Sequence, residues 1–233
     1  MSEVVDAIVL AGGRGSRLGD LTSSIPKPMI AIAGKPFLVF LLGQLLDAGI
    51  KRVILSVGYL ADRIESYFGS SFESMQIDYV KETKPLGTGG ALLNALAVCG
   101  SERVLITNAD TYIDLDFGSF IHQCDLKNQP GIVTVRVDDS SQYGVVSSDA
   151  GHWVFQGKTG IPEPNYVNAG VYFLALEDIG STPTVRPLSL EEDLLTNMTQ
   201  NQRFMNFIHE GPMFDFGSPS GLDALTRVMG GHD

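Results

Sequence analysis

Apolar positions in the first half of the chain fall into short β-branched runs alternating with longer helical ones. Asp6–Ala11 predicts a strand and opens onto a glycine cluster. Pro36–Leu46 is an apolar run that predicts a helix, with Pro36 suited to its first turn and Gly49 to its stop. Arg52–Val57 predicts a strand, Ala61–Phe68 a helix and Gln76–Val80 an alternating strand. Thr88–Val98 predicts a helix and Arg103–Thr107 a buried strand. Strands and helices alternating at this spacing predict βαβ units and a mainly parallel sheet.

The second half changes character. Gly131–Val137 and Val167–Leu174 predict strands, and Gly144–Ser147 and His152–Phe155 flank Asp149-Ala150-Gly151 like the arms of a hairpin. Ser189-Leu190-Glu191-Glu192 has the spacing of a capping box at the start of a helix. Phe204–Ile208 predicts a strand, and Ser218-Pro219 caps a last helix that stops near Gly230-Gly231. No repeat or low-complexity linker interrupts the pattern. The expected fold class is α/β: a single domain over 1–233 with a Rossmann-like, doubly wound, mainly parallel mixed sheet and a smaller mixed α/β insertion covering one end.

Composition narrows the function. With 233 residues, 44% of them hydrophobic, the chain can bury a substantial core and is too apolar for disorder. Lys+Arg 16 against Asp+Glu 27 gives a net charge of −11, which argues against nucleic acid as a partner. Anionic small molecules stay compatible where local cations or a metal offset the field. No apolar run reaches the roughly 18 residues of a membrane span, so no membrane partner is expected. Met1–Asp6 has no basic n-region, so a cytoplasmic protein is expected. Cys99 and Cys124 lack a CxxC spacing and predict two reduced thiols. His122, His152, His209 and His232 are scattered without zinc-site spacing.

Four segments could carry chemistry. In Leu10-Ala11-Gly12-Gly13-Arg14-Gly15-Ser16-Arg17-Leu18 a strand runs into a glycine turn bearing two arginines. Glycines let backbone N–H groups approach a phosphate chain, and arginine adds a fork of donors. The spacing fits neither the dinucleotide fingerprint nor a P-loop; an ordinary glycine-rich βα turn is the competing reading. Lys27 lies between Pro26 and Pro28, which stiffen its backbone; it is either a phosphate clamp or a surface lysine in a turn. Asp110 follows a buried strand, where open α/β sheets bind ligands and where Mg²⁺ would neutralise a carboxylate, or else it caps a turn. Asp215, flanked by Phe214 and Phe216, is either a second carboxylate on that metal or the approach to a helix.

These elements, in this order, resemble the nucleoside-diphosphate-sugar pyrophosphorylases, the sugar-1-phosphate nucleotidylyltransferases, over nearly the whole chain. The loop through Lys27-Pro28 resembles their nucleotide-phosphate loop. Lys84-Pro85-Leu86-Gly87-Thr88-Gly89-Gly90-Ala91 resembles their base-contacting loop, and Asn108-Ala109-Asp110 their metal strand end. Tyr143-Gly144-Val145-Val146, Lys158 and Asn168-Ala169-Gly170 resemble their sugar-phosphate contacts, and Phe214–Pro219 their second metal motif. Within the family the chain looks most similar to the short D-glycero-α-D-manno-heptose 1-phosphate guanylyltransferases. Mannose-1-phosphate guanylyltransferases and N-acetylmuramate-1-phosphate uridylyltransferases are also similar. Ser16 stands for a common Thr, Ala109 for a Gly, and Gly157 for a frequent sugar-contacting Glu.

The resemblance implies a GT-A-like fold without the C-terminal β-helix domain of longer members. About 1–115 would form the nucleotide half and about 116–233 the sugar-phosphate half. It implies transfer of a nucleotidyl group from NTP, expected to be GTP, to a sugar 1-phosphate with release of pyrophosphate, for cell-surface polysaccharide or glycan synthesis. A homodimer or higher homo-oligomer is compatible with the family. Arg17, Lys27 and Asp110 are the implied catalytic residues. Leu10, Ala11, Gly12, Gly13, Arg14, Gly15, Ser16, Arg17, Glu82, Gly87, Thr88 and Asn108 would bind the nucleotide. Tyr143, Gly144, Lys158, Asn168 and Glu191 would bind the sugar phosphate, and Asp110 and Asp215 would hold Mg²⁺. Glu191 also suits the first turn of a capped helix without any ligand. A GT-A glycosyltransferase leaves the Gly-Arg loop unexplained, and a non-catalytic nucleotide-sugar sensor does not need Asp110, Asp215 or Lys27.

Overall fold

The computed structural model describes residues 5–149, 152–179 and 187–230. In chain order the strands are β1 (Asp6–Leu10), β2 (Ala31–Ile32), β3 (Lys35–Pro36), β4 (Arg52–Val57), β5 (Ser71–Phe72), β6 (Met75–Lys81) and β7 (Arg103–Asn108). They continue as β8 (Thr111–Ile113), β9 (Gly131–Val137), β10 (Gly144–Asp149), β11 (His152–Lys158), β12 (Asn165–Ala175), β13 (Met205–His209) and β14 (Met213–Asp215). The α-helices are α1 (Phe37–Asp47), α2 (Ala61–Phe68), α3 (Gly87–Leu96), α4 (Phe117–Lys127), α5 (Thr196–Asn201) and α6 (Pro219–Met229).

β1 lies between β4 and β7, parallel to both, and β4 pairs in parallel with β6. β1, β4 and β7 are buried on both faces, which is why they read as continuous apolar runs, whereas β6 is only partly buried and alternates. β12 then turns the sheet antiparallel. Its Val171–Ala175 stretch pairs with β7, Val167 meets β10, and β9 follows its other edge. The β10–β11 hairpin extends the sheet beyond Val167; its turn at Ala150-Gly151 lies outside the described residues. Among the described residues β9–β13 of the second half thus share one ten-stranded sheet with β1, β4, β5, β6 and β7 of the first.

Pleat alternation divides the core into two layers. Ala7 and Val9 join Phe37, Leu41, Phe120 and Leu225 on one face, among residues of α1, α4 and α6. Ile8, Ile54 and Ile106 join Leu92, Ala95, Leu190 and Met198 on the other, among residues of α3 and the segment around Leu190–Leu195. Cys99 and Cys124 are free thiols, and burial pushes the Cys124 thiol up to about 12.

Several local expectations change. Pro36 is extended (φ −51°, ψ 138°) and precedes α1, which starts at Phe37. Leu190–Leu195 is a π-helix continuing into α5. Its Ser189 hydroxyl accepts from Glu192 N–H as a capping box requires, but the carboxylate that reaches back to Ser189 N–H is Asp193. Helix α4, capped by Asp116 through Ser119 N–H, adds an element the strand pattern did not suggest. β8 and β14 are also new: they pair antiparallel with Asp215 opposite Thr111.

Candidate active site

The site lies beyond the C-terminal ends of β1, β4 and β7, where an open α/β sheet presents a crevice. There Leu10, Gly12, Gly13, Arg14, Glu82, Gly87, Thr88, Asn108 and Asp110 line a cavity of about 510 Å³. That is within the ordinary range for small-molecule sites.

The glycine loop turns away from β1 under specific constraints. Ala11 is buried and its N–H donates to Ser56 O, so Ala11 anchors the loop instead of lining the cavity. A Cβ on Gly12 would lie 2.8 Å from Glu82 Oε1, whereas the corresponding space at Gly13 is open. Gly15 has φ +63°, and the chain enters a 3₁₀ segment, Ser16–Thr22. Thr22 ties that turn by donating from its hydroxyl to Gly15 O at 3.1 Å. The Arg14 guanidinium sits 5.5 Å from the centroid of the Tyr59 ring.

Lys27 is not a surface lysine. It is 5% exposed, its stem packs against Gly15, and its ammonium lies 5.3 Å from the Phe216 ring centroid. Its Nζ donates to Asp110 Oδ2 at 2.8 Å. Asp110 follows β7 and keeps 41% of its side chain exposed toward the cavity. The β8–β14 pair delivers the second carboxylate. Phe216 N–H donates to Asp110 O, and Gly217 N–H donates to Asp215 Oδ1 at 2.7 Å. A Cβ on Gly217 would lie 2.7 Å from Arg17 Nη2, 2.8 Å from Asp215 Oδ1 and 2.9 Å from Lys27 Nζ. Arg17, Lys27 and Asp215 therefore converge on one point, with Asp110 bonded to Lys27 on the cavity side. Two carboxylates with hard oxygen donors beside two cations could hold a divalent metal together with phosphate oxygens.

Among the other sequence-predicted residues, Asn168 and Glu191 are joined directly. Glu191 Oε1 accepts from Asn168 Nδ2 at 3.1 Å, and Asn168 Nδ2 also donates to the Tyr172 hydroxyl at 2.6 Å. Burial raises the Glu191 carboxyl, Lys158 opposes the rise and Asp110 adds to it, so both of those charges act on Glu191. Burial raises the Tyr143 phenol, Asp215 and Asp139 add to the shift, and Arg17 opposes it, so the charges of Arg17 and Asp215 are felt at Tyr143.

Three expected residues have structural duties of their own. Gly144 lies opposite Lys158 in the hairpin, and the Phe155 ring occupies the place of its missing Cβ. Gly87 has φ +74°, and a Cβ there would run into the Leu188 carbonyl. The Thr88 hydroxyl accepts from Leu190 N–H at 2.9 Å. Gly157, where a Glu was the familiar residue, has φ +75° beside the β-bulge at Val145/Val146. That backbone explains its glycine. Sequence reasoning missed Tyr59 and Tyr172. Tyr59 follows directly on the C-terminal end of β4, a position that the crevice rule marks.

The model of one protein family, described as nucleotidyl transferase, matches residues 6–222. This chain belongs to the nucleotidyl transferase family. As a nucleotidyltransferase it is an enzyme, and its sheet and crevice are the GT-A-like arrangement expected from the sequence. A D-glycero-α-D-manno-heptose 1-phosphate guanylyltransferase from Aneurinibacillus thermoaerophilus is 34% identical over 92% of this chain and 94% of its own length. A mannose-1-phosphate guanylyltransferase from Mycobacterium tuberculosis is also 34% identical, but this chain spans 62% of that protein. Among solved structures, HddC from Yersinia pseudotuberculosis complexed with GMP-PN superposes with a TM-score of 0.81 at 34% identity. That match covers 95% of this chain and 98% of the other. Among the described residues no helix of this nucleotidyltransferase is long and apolar enough to cross a membrane.

Proposed function

We propose that this nucleotidyltransferase transfers GMP from GTP to D-glycero-α-D-manno-heptose 1-phosphate, giving the GDP-heptose and pyrophosphate. The observation that carries the reading is the convergence of Arg17, Lys27 and Asp215 on one point, with Lys27 bonded to Asp110, which lines the cavity. The names of relatives that match this chain along nearly their whole length support the heptose.

A phosphate oxygen of the sugar 1-phosphate attacks the α-phosphorus of GTP in line. The new P–O bond forms as the bond from the α-phosphorus to the bridging oxygen breaks, and that electron pair leaves on pyrophosphate. The attacking oxygen is already ionised, so no general base is needed and the chain's task is positioning and charge neutralisation. Arg17 holds the β- and γ-phosphates and the departing pyrophosphate. Lys27, rigid and desolvated, faces the charge that builds at the α-phosphoryl group. Lys158 holds the sugar phosphate, and Glu191 and Asn168 face sugar hydroxyls. Asp110 and Asp215 are the residues that would hold Mg²⁺, which supplies further neutralisation of phosphate charge when bound. At an effective dielectric near 20, unit charges about 4 Å apart interact by about 4 kcal/mol, so these local groups outweigh the net charge of the chain.

Guanine suits the Glu82 wall. A carboxylate only accepts hydrogen bonds, and guanine offers adjacent N1–H and N2–H donors on one edge. Glu82 is held for that task by Leu86 N–H, which donates to Oε2 at 3.1 Å. A nucleoside triphosphate substrate also agrees with a cytoplasmic enzyme. Mannose 1-phosphate is the second reading, because the mannose enzyme is equally identical and the two sugars share the manno ring configuration. Pyrophosphate release should be measured with Mg²⁺ for GTP, UTP, CTP, dTTP and ATP against heptose, mannose, glucose and N-acetylmuramate 1-phosphates. The strongest signal is expected for GTP with the heptose. A stronger one for another pair would overturn the substrate, and GDP-heptose binding without any turnover would overturn the reaction.

A further inference from the structure

The segment that carries Glu191 is joined to the first turn of α3, which carries Gly87 and Thr88. Leu188 N–H donates to Leu86 O at 2.8 Å, and Gly89 N–H donates back to Leu188 O at 2.8 Å. The approach is close enough that glycine is required. A Cβ on Gly87 would meet the Leu188 carbonyl, and one on Gly89 would lie 3.0 Å from the Ser189 carbonyl carbon. Leu188 and Leu190 are buried in this seam.

Thr88 makes the one side-chain hydrogen bond across the seam from the loop side that the described residues record. Its Oγ1 accepts at 2.9 Å from Leu190 N–H, at the first residue of the π-helix Leu190–Leu195. Donors in a first helical turn have no partner within the helix. Nearby, Ser189 N–H is satisfied by Asp193 and Glu192 N–H by Ser189 Oγ, both within the segment, whereas Leu190 N–H takes its acceptor from another element, Thr88. The next residue is Glu191, held on its other side by Asn168 of β12.

We propose that Thr88 is a positioning residue for the sugar 1-phosphate: its hydroxyl fixes the start of the π-helix and so aims the Glu191 carboxylate. This rests on the reading that places the sugar at Glu191. Although Thr88 lines the nucleotide cavity, its hydroxyl serves the neighbouring subsite. Nucleotide wall and sugar carboxylate then move as one piece.

The test compares Thr88→Val, Thr88→Ser and Glu191→Ala, with GTP and D-glycero-α-D-manno-heptose 1-phosphate as substrates. Thr88→Val keeps the shape and removes the acceptor, and Thr88→Ala replaces it if the valine protein does not fold. KM for the sugar phosphate is expected to rise about tenfold, well beyond any rise in KM for GTP. Thr88→Ser, which restores the acceptor, should return KM to within about twofold of the parent. In a Glu191→Ala background, Thr88→Val should add no further rise. A rise confined to KM for GTP, a silent Thr88→Val, or full additivity with Glu191→Ala would overturn the proposal. If Glu191→Ala alone leaves the sugar KM unchanged, the sugar-site reading fails and takes the proposal with it. If Glu191→Ala acts and Thr88→Val does not, the Thr88 assignment alone fails.

Discussion

Lys27 Nζ donates to Asp110 Oδ2 at 2.8 Å, joining a buried cation to a carboxylate that is still open to the cavity. The asymmetry matters. The lysine packs against Gly15 and Phe216, while Asp110 can exchange its partner for another ligand without leaving its strand end. A cation fixed in this way needs no reorganisation when charge develops beside it. Lys27→Ala should therefore lower kcat by about 10²–10³, or about 3–4 kcal/mol, with a smaller effect on KM. Steady-state pyrophosphate release on folded variant checks this; unchanged kcat would remove Lys27 from the transition state. Stability should suffer little from the lost pair, because the remaining carboxylate is hydrated.

Asp215 is placed by the β8–β14 pairing and by Gly217 N–H on its Oδ1. Asp215→Asn keeps an oxygen for that N–H and removes the charge. The Mg²⁺ concentration giving half-maximal rate should rise about tenfold or more, with the fold intact. A titration that saturates at the parent's concentration would show that Asp215 binds no metal.

Much of this scaffold was legible in the chain. Arg52–Val57, Ala61–Phe68 and Gly131–Val137 form over the residues expected, because each is a periodic run closed by glycine or turn residues. The Gly-Arg loop and Asp110 were legible as crevice positions because each follows the end of a parallel strand, β1 or β7, whereas the burial of Lys27 was not. The convergence of Asp215 on Arg17 and Lys27 was not. It depends on two three-residue strands, too short for any periodicity, that meet across about a hundred residues of sequence. Helix α4 could have been found, since Phe117, Phe120 and Cys124 lie on one buried face behind the Asp116 cap. The duties of Gly87 and Gly144 needed the tertiary neighbours Leu188 and Phe155.

Gly170 has φ +73°, and a Cβ there would lie 2.6 Å from Asn108 Nδ2. Its glycine is thus required twice, by the backbone and by a neighbour that lines the nucleotide cavity. Gly170→Ala should cost about 2 kcal/mol or more of unfolding free energy and raise KM for GTP by displacing Asn108. Urea unfolding and nucleotide kinetics on the same preparation separate the two effects. A variant as stable as the parent would contradict the strain.

Burial raises the Glu191 carboxyl above its ordinary value of 4.5, against the pull of Lys158 and Asn168. Below that value the group is protonated in folded and unfolded chains alike. As pH rises toward the folded value the unfolded chain ionises first, so the folded state holds the extra proton and loses stability with rising pH. Glu191→Gln has no such loss. Its stability relative to the parent should therefore grow as the pH rises above about 4.5 in urea unfolding. Sugar binding should move oppositely in the parent, tightening as the carboxylate ionises. A pH-independent stability difference would show that Glu191 has no raised value in the fold.

Glu82 offers the sharpest test of base choice. Its Oε2 receives Leu86 N–H, and its carboxylate lines the cavity wall. Guanine presents two adjacent donors to such a wall, and hypoxanthine lacks the exocyclic one. The parent should therefore prefer GTP to ITP by about 10-fold or more in kcat/KM, the range expected when a buried acceptor loses its donor. In Glu82→Gln the amide oxygen can keep Leu86 N–H, which turns the amide NH₂ toward the donors of the base. GTP should then lose about 10²-fold in kcat/KM and ITP less, because one of the two opposed donors is gone. The preference for GTP should collapse to a few-fold. A variant that keeps the parent's GTP-to-ITP ratio would place base reading elsewhere, on the backbone of the Gly87 loop or on Lys84.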